Sequence, residues 1–130
     1  VATPGGYAPD AQVVKESKEA AKETGSQIRI TEDPLSAVNG ANAVYTDVWA
    51  SMGQEDEISK RKIIFKDFQI NARLLTNAEP GVLVMHCLPA HRGEEITDDV
   101  LDSKNSVVFD QAENRMHVQK AVLIKLLSRD

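Results

Sequence analysis

One short segment of the chain holds several side chains that could do chemistry. An apolar run at residues 82–85 ends in His86 and Cys87, and His91 and Arg92 follow shortly after. Cys87 is the only cysteine of the chain, and two of the three histidines lie here. A thiol becomes reactive when nearby cations lower its pKa, and His86 and Arg92 are candidates for that. The alternative is a buried and inert thiol, which is common in proteins.

A metal site is not predicted from this segment. Zinc sites need more ligands at suitable spacing, and His86, Cys87 and His91 do not match a usual pattern. We therefore do not expect a native metal at these three residues. The acidic run that follows begins with Glu94 and Glu95, and we interpret it as a solvated helix start.

A second polar cluster follows an apolar stretch at residues 43–46. Asp47 comes first, and Ser51 and Gly53 lie a few residues further on. The Asp47 carboxylate could hold an ammonium group, while Ser51 and the backbone N–H groups near Gly53 could hold a carboxylate. The alternative is structural: Asp47 caps the loop, and Trp49 contributes packing.

A third cluster is the tripeptide Glu113-Asn-Arg115, which we place at the start of a final helix at about residues 112–127. An arginine there would add to the positive N-terminus of the helix and make an anion site. A surface salt bridge is the alternative for Arg115 alone. His117 follows and has no partner visible in the sequence.

Local sequence patterns predict the elements that position these clusters. Strands are predicted at 27–31, 43–46, 82–87 and 106–109, and helices at 11–24, 34–39, 55–65, 71–78, 97–101 and 112–127. Asp10 and Asp33 are predicted N-caps, Pro34 suits the first helical turn, and Gly25 suits a helix end. Strands that alternate with helices favour a doubly wound α/β/α fold with a parallel sheet. Such sheets bind ligands at the carboxyl ends of their strands.

The composition is that of an ordinary globular domain. The 130 residues are 42% hydrophobic and 27% charged, with a formal net charge of −5. This charge gives no support for a nucleic-acid or membrane-surface partner, since both favour basic patches. No apolar run suits a transmembrane helix, and the N-terminus does not resemble a signal peptide. A single cysteine fits a reducing cytoplasm. The chain lacks an initiator methionine, and we expect it to be a piece of a longer protein.

The three clusters together resemble a known enzyme family. Residues 47–53 (Asp-Val-Trp-Ala-Ser-Met-Gly), 86–95 (His-Cys-Leu-Pro-Ala-His-Arg-Gly-Glu-Glu) and 112–115 (Ala-Glu-Asn-Arg) are similar in order and spacing to motifs of the ornithine carbamoyltransferases. The likeness is to the carboxyl-terminal, ornithine-binding part of these enzymes, and it runs over nearly the whole chain. The Ser-Met-Gly loop distinguishes them from the aspartate carbamoyltransferases, which also carry His-Pro-Leu-Pro in place of His-Cys-Leu-Pro.

The resemblance implies a role for each cluster in carbamoyl transfer. Asp47, Ser51 and the Met52 backbone would bind the amino-acid end of ornithine, and Cys87 would lie beside the δ-amine that attacks carbamoyl phosphate. The products would be citrulline and phosphate.

For carbamoyl phosphate, the resemblance implies contacts with the backbone of Cys87 and Leu88. Arg115 would bind this substrate and steady its developing negative charge. The resemblance also implies a cis peptide between Leu88 and Pro89. It implies a trimer-based enzyme that needs no cofactor.

Parts of the family pattern are not present in these 130 residues. The Ser-x-Arg-Thr phosphate loop and the His-Pro…Gln motif of the carbamoyl-phosphate domain are missing, as are the first strand and helix of the ornithine domain. We therefore expect residues 1–130 to form a partial ornithine-binding domain that is inactive alone. A transcarbamylase for putrescine or an acylated ornithine remains an alternative, as does a non-catalytic ornithine-binding module. A Rossmann-type dehydrogenase is not favoured, because no Gly-x-Gly-x-x-Gly follows a strand.

Overall fold

The computed structural model describes residues 1–50 and 57–128. Within these ranges the helices are α1 (Ala11–Thr24), α2 (Pro34–Val38), α3 (Ile58–Ile64), α4 (Ala72–Leu75), α5 (Asp98–Leu101) and α6 (Val108–Leu127), and the strands are β1 (Ala43–Thr46) and β2 (Leu83–His86). A 3-10 turn, Lys66–Phe68, follows α3. No helix in the described ranges is both long enough and apolar enough to cross a bilayer.

The first two helices begin and end where the sequence predicts. The Asp10 carboxylate accepts hydrogen bonds from two backbone N–H groups of the first turn of α1. Gly25 ends α1 at φ +71°, a left-handed conformation that costs glycine little. Asp33 caps α2 in the same way, and Pro34 occupies its first position.

Strands β1 and β2 pair in parallel, which confirms the predicted α/β class with a parallel sheet. Their register runs from Ala43 opposite Leu83 to Thr46 opposite His86. A single parallel bridge between Val84 and Ser106 extends the sheet beyond β2.

The predicted strand at 106–109 is wrong. Beyond the bridge at Ser106, the N–H of Val107 donates to the Val84 carbonyl over 2.9 Å. The chain then turns into α6, and Gln111 N–H donates to the Val107 carbonyl over 2.8 Å. Val108 is fully buried in the core as the first residue of this helix. Burial in tertiary context therefore overrides the preference of consecutive valines for a strand.

The predicted strand at 27–31 forms one isolated bridge rather than a ladder. Thr31 pairs in parallel with Ala2 through two backbone hydrogen bonds of 3.0 Å, with the carbonyl of Val1 and the N–H of Thr3 as its partners. Ala2, Thr3 and the four residues of β1 are among those that line one groove of about 590 Å³. The bridge to Ala2 is the one pairing that residues 27–31 make in the described structure, whereas a strand depends on several successive pairings.

The core lies beneath β2. Its buried cluster consists of Val38, Ile70, Leu74, Val84, Ile96, Val100, Leu101 and Val108. These residues come from α2, α4, β2, α5 and α6 and from the segments beside them, so the end of β2 is fixed from several directions.

The later helices differ from the predicted ranges mainly at their ends. Helix α3 lies within the predicted range 55–65, of which 55 and 56 are outside the described residues. Helix α4 begins after its cap at Asn71 and ends at Leu75, short of the predicted 78. Helix α6 begins at Val108 rather than 112. Arg115 therefore lies inside α6 and not at its N-terminus, so its predicted position at the start of the helix is wrong.

Candidate functional site

The carboxyl ends of β1 and β2 bring the first two polar clusters together. Because Thr46 lies opposite His86, Asp47 and Cys87 leave the sheet side by side. The Cys87 thiol donates a hydrogen bond to Oδ1 of Asp47 over 3.0 Å. The same carboxylate oxygen accepts from the Val48 N–H over 2.7 Å. Asp47 therefore caps its loop and also contacts the thiol, so the structural and functional interpretations are both compatible with its position.

The surroundings of Cys87 do not favour a thiolate. The hydrogen bond to Asp47 and burial raise the pKa of the Cys87 thiol above its ordinary value. His86 and Arg92, the side chains that the sequence suggests for lowering this pKa, contact other groups. The His86 ring faces Glu95, and the Arg92 guanidinium forms ion pairs with Asp98 and Asp102. Cys87 is therefore a neutral hydrogen-bond donor at the strand end, and the interpretation that His86 or Arg92 lowers its pKa is wrong.

Two residues near the thiol were not found by sequence reasoning. Burial and a hydrogen bond with Cys87 raise the pKa of the Tyr45 hydroxyl. Gln111, from the first turns of α6, accepts the backbone N–H of His86 over 3.2 Å. Tyr45 lies in β1 two positions before Asp47, which directly follows the strand. Residues two apart in an extended chain lie on the same side, and that alternation is the signal that could have found Tyr45.

A buried histidine–glutamate pair supports the turn after β2. Nδ1 of His86 accepts the Leu88 N–H over 2.8 Å, so a neutral ring carries its proton on Nε2. That atom lies 3.0 Å from Oε1 of Glu95, which also accepts the His91 N–H over 2.6 Å. Both side chains of the pair are fully buried. The expectation that Glu95 belongs to a solvated run is therefore wrong, because Glu95 folds back under the strand end and contacts the His86 ring and the His91 N–H.

The turn held by this pair has an unusual backbone. The Leu88-Pro89 peptide is cis, which agrees with what the resemblance implies. Leu88 has φ +56°, a conformation that is uncommon for a residue with a branched side chain. The His86 ring supplies the hydrogen-bond acceptor that keeps the Leu88 N–H in this orientation.

Arg115 reaches the site from α6. Cys87, Leu88, Pro89, Arg92 and Arg115 are among the residues that line one open cavity of about 600 Å³. Cys87 therefore contacts Asp47 through its thiol and also lines a cavity to which Arg115 contributes. The site combines a carboxylate, a neutral thiol and an arginine, which suits a reaction between an amine and an anionic carbonyl compound.

The loop after Asp47 is only partly described. Nη1 of Arg61 donates to the Trp49 carbonyl over 2.9 Å. The Trp49 ring stacks at 6.1 Å from the ring of Phe65, which agrees with a packing role. Ser51, Met52 and Gly53, the predicted ornithine-binding loop, lie outside the described residues.

Comparison with known proteins assigns the chain to a family. The family profile described as "Aspartate/ornithine carbamoyltransferase, Asp/Orn binding domain" matches residues 1–126. The chain belongs to the aspartate/ornithine carbamoyltransferase family. The expected resemblance is thereby confirmed over almost the entire sequence.

Individual members of this family are closely similar to the chain. A relative from Pyrococcus furiosus named "Ornithine carbamoyltransferase, anabolic" is 58% identical over 123 residues, which are 95% of this chain and 39% of the relative. One from Thermoplasma acidophilum named "Ornithine carbamoyltransferase, catabolic" is 53% identical over 128 residues, 98% of this chain and 42% of the relative. The solved structure of ornithine carbamoyltransferase from Pyrococcus furiosus superposes with a TM-score of 0.90 at 58% identity, covering 95% of this chain and 40% of that one. The chain thus spans about 40% of the length of these relatives.

Proposed function

We propose that this chain is part of an enzyme that transfers the carbamoyl group of carbamoyl phosphate to the δ-amine of L-ornithine. The observation that carries the proposal is the hydrogen bond between the Cys87 thiol and Asp47 beside the cavity that Arg115 lines. The names of the family members add the substrate, because the two relatives described above are called ornithine carbamoyltransferases.

The proposed reaction assigns ornithine to the carboxylate side of the site. Asp47, with Ser51 and the Met52 backbone, binds the amino-acid end, and Cys87 lies next to the δ-amine. A neutral thiol suits this position for two reasons. Its sulfur can hydrogen-bond the δ-amine and so orient the lone pair of the amine, and a thiol, unlike a thiolate, does not compete with the amine as a nucleophile. The δ-nitrogen attacks the carbonyl carbon, loses a proton, and becomes the ureido nitrogen of citrulline.

Carbamoyl phosphate occupies the cavity on the other side of Cys87. The backbone of Cys87 and Leu88 contacts the carbamoyl group, and Arg115 faces the anion. As the carbon–oxygen bond to phosphate breaks, the leaving phosphate takes the electron pair. A fixed guanidinium stabilises the charge that develops on the oxygens. These assignments need no metal or organic cofactor.

The proposal includes a larger parent protein. Residues 1–130 are a partial ornithine-binding domain, and the carbamoyl-phosphate domain belongs to the remaining length that the relatives possess. The parent is a cytoplasmic, trimer-based enzyme of arginine metabolism. The P. furiosus relative is named anabolic, which fits arginine biosynthesis. The T. acidophilum relative is named catabolic, which fits the reverse reaction, so the names of the relatives cover both directions.

A chimera tests the proposal. This chain replaces the matching segment of the P. furiosus relative, and citrulline formation from ornithine and carbamoyl phosphate is measured by colorimetry. We expect activity in the chimera, none in the isolated 130-residue chain, and a strong loss of turnover in the chimera with Cys87→Ala. A chimera with a native circular dichroism spectrum but no citrulline formation would contradict the proposal.

The same chimera separates the alternative substrates. N-acetylornithine and putrescine are offered in place of ornithine, and kcat/KM is compared for the three amines. We expect ornithine to be preferred, because the loop at 51–53 is assigned to a free amino-acid head group. Preference for either other amine would move the assignment to a related transcarbamylase.

A further inference from the structure

A tight turn after the cis proline gathers three potential metal ligands. The Glu94 N–H donates to the His91 carbonyl, and the Gly93 N–H donates to the Ile96 carbonyl, both over 2.9 Å. This turn brings one ligand atom each of His91, Glu94 and Glu95 within 4.8 Å of one another. None of the three side chains is assigned to binding ornithine or carbamoyl phosphate.

A buried carboxylate oxygen points into this cluster without a hydrogen-bond donor. Oε1 of Glu95 is used by His86 and by the His91 N–H. Oε2 of Glu95 is also buried but has no hydrogen-bond partner among the described atoms. It lies 4.0 Å from Nδ1 of His91. A buried charged oxygen without a partner is costly, and a cation held between Oε2 and Nδ1 would remove that cost.

The local charges leave room for such a cation. Glu94 and Glu95 supply two negative charges, and the Lys62 ammonium, 2.6 Å from Oε1 of Glu94, offsets one of them. Lys62 is half-exposed, and Glu94 has a second carboxylate oxygen for an ion. The His91 side chain is more than half exposed, so an ion can enter from solvent.

We propose that His91, Glu94 and Glu95 form a binding site for a divalent transition metal, with Zn²⁺ as the best fit. One imidazole nitrogen and two carboxylate oxygens suit zinc and its first-row neighbours, whereas Mg²⁺ and Ca²⁺ prefer ligand sets made of oxygen alone. Water completes the coordination on the exposed side. Oε1 of Glu95 stays with His86, so the ion is accommodated without breaking the buried pair.

Zinc titration of the complete 130-residue chain tests this site. We expect one Zn²⁺ per chain by isothermal titration calorimetry, together with a higher midpoint of thermal unfolding. Zinc that binds only the folded state must raise that midpoint. A chain that is poorly folded without zinc should gain helical circular dichroism when zinc is added. Neither bound zinc nor a gain in stability or helicity would overturn the proposal.

Three substitutions locate the ion. His91→Asn and Glu94→Gln are both expected to weaken Zn²⁺ binding at least about tenfold, because each removes one of three protein ligands. His117→Asn is the matched control, since His117 also lies beside a glutamate, Glu113, at 3.2 Å, and it should bind zinc like the unmodified chain. Equal binding by all three variants would overturn the proposal.

A fourth variant excludes the thiol as the ligand. Cys87→Ala should bind Zn²⁺ like the unmodified chain, and Co²⁺ bound to either should lack the intense near-ultraviolet absorption of cobalt–thiolate bonds. Loss of zinc binding in Cys87→Ala with retention in His91→Asn would assign the ion to the thiol and refute this site. Because these readouts do not use catalysis, they are independent of the proposed function.

Discussion

Two histidine–glutamate pairs of similar geometry lie in very different surroundings. His86 and Glu95 are 3.0 Å apart, and both side chains are 0% exposed. His117 and Glu113 are 3.2 Å apart on the surface of α6, with side chains 53% and 67% exposed. The atoms in contact are the same in kind, so the difference between the pairs is the solvent around them.

This difference decides what each pair can do. In the buried pair, the histidine ring and the carboxylate oxygen also bind the backbone N–H groups of Leu88 and His91, so the pair fixes the turn that carries the candidate site. The exposed pair joins residues one helical turn apart that α6 already holds together. We infer that the buried pair determines the structure of the site, whereas the exposed pair adds only a surface contact to a helix that is already formed.

The largest effect is expected from Glu95→Ala. This change leaves the His86 ring and the His91 N–H without an acceptor in the interior, and removal of one partner of a buried pair typically costs about 3–5 kcal/mol. Urea unfolding in the presence of a chelator measures this loss apart from any bound zinc. A loss below about 1 kcal/mol, the usual value for an exposed pair, would remove the distinction between the two pairs.

The next effect concerns the thiol beside the buried pair. Asp47→Ala removes the hydrogen bond that is the main cause of the raised pKa of Cys87, so the thiol pKa should fall towards its ordinary value. More thiolate at pH 8 should make alkylation by iodoacetamide faster. Glu113→Ala is the control and should leave the rate unchanged. A slower reaction in Asp47→Ala would show that Asp47 does not keep the thiol protonated.

The comparison also shows which features the sequence could predict. Local signals located Asp10, Gly25 and Asp33 correctly, because caps depend on neighbouring backbone groups only. The meeting of Asp47 and Cys87 was predictable as well, since parallel strands end at the same edge of a sheet.

Features that depend on distant contacts were not predictable in this way. The sequence predicts a surface position for Glu95, because an acidic run is usually solvated, and only the fold-back of its turn onto His86 buries it. The sequence predicts Arg115 at a helix start, because the first turn of α6 contains Val108 and Phe109, which favour strands. In both cases packing against β2 overrides the local pattern.

A smaller effect is expected at an exposed ion pair near the site. Arg92 lowers the pKa of Asp102, chiefly through their hydrogen bond. A lowered folded-state pKa means that the stabilisation is present above the unfolded value, about 4, and is lost as the pH falls through the folded value. Asp102→Asn should therefore lower the urea midpoint more at pH 7 than at pH 2. A difference that persists unchanged at pH 2 would attribute the effect to something other than this ion pair.

The smallest effect is expected from Glu113→Ala on the exposed pair. Alanine favours the helix and removes only a solvated contact one turn from His117, so the change in unfolding free energy should stay within about 0.5 kcal/mol. High salt should reduce it further, because screening weakens exposed charges first. The measurement is urea unfolding at pH 7, at low and at high salt. If Glu113→Ala lost as much unfolding free energy as Glu95→Ala, the exposed surface of α6 would have to be buried in solution. The contrast between the two pairs would then reflect assembly of several chains and not the fold of one.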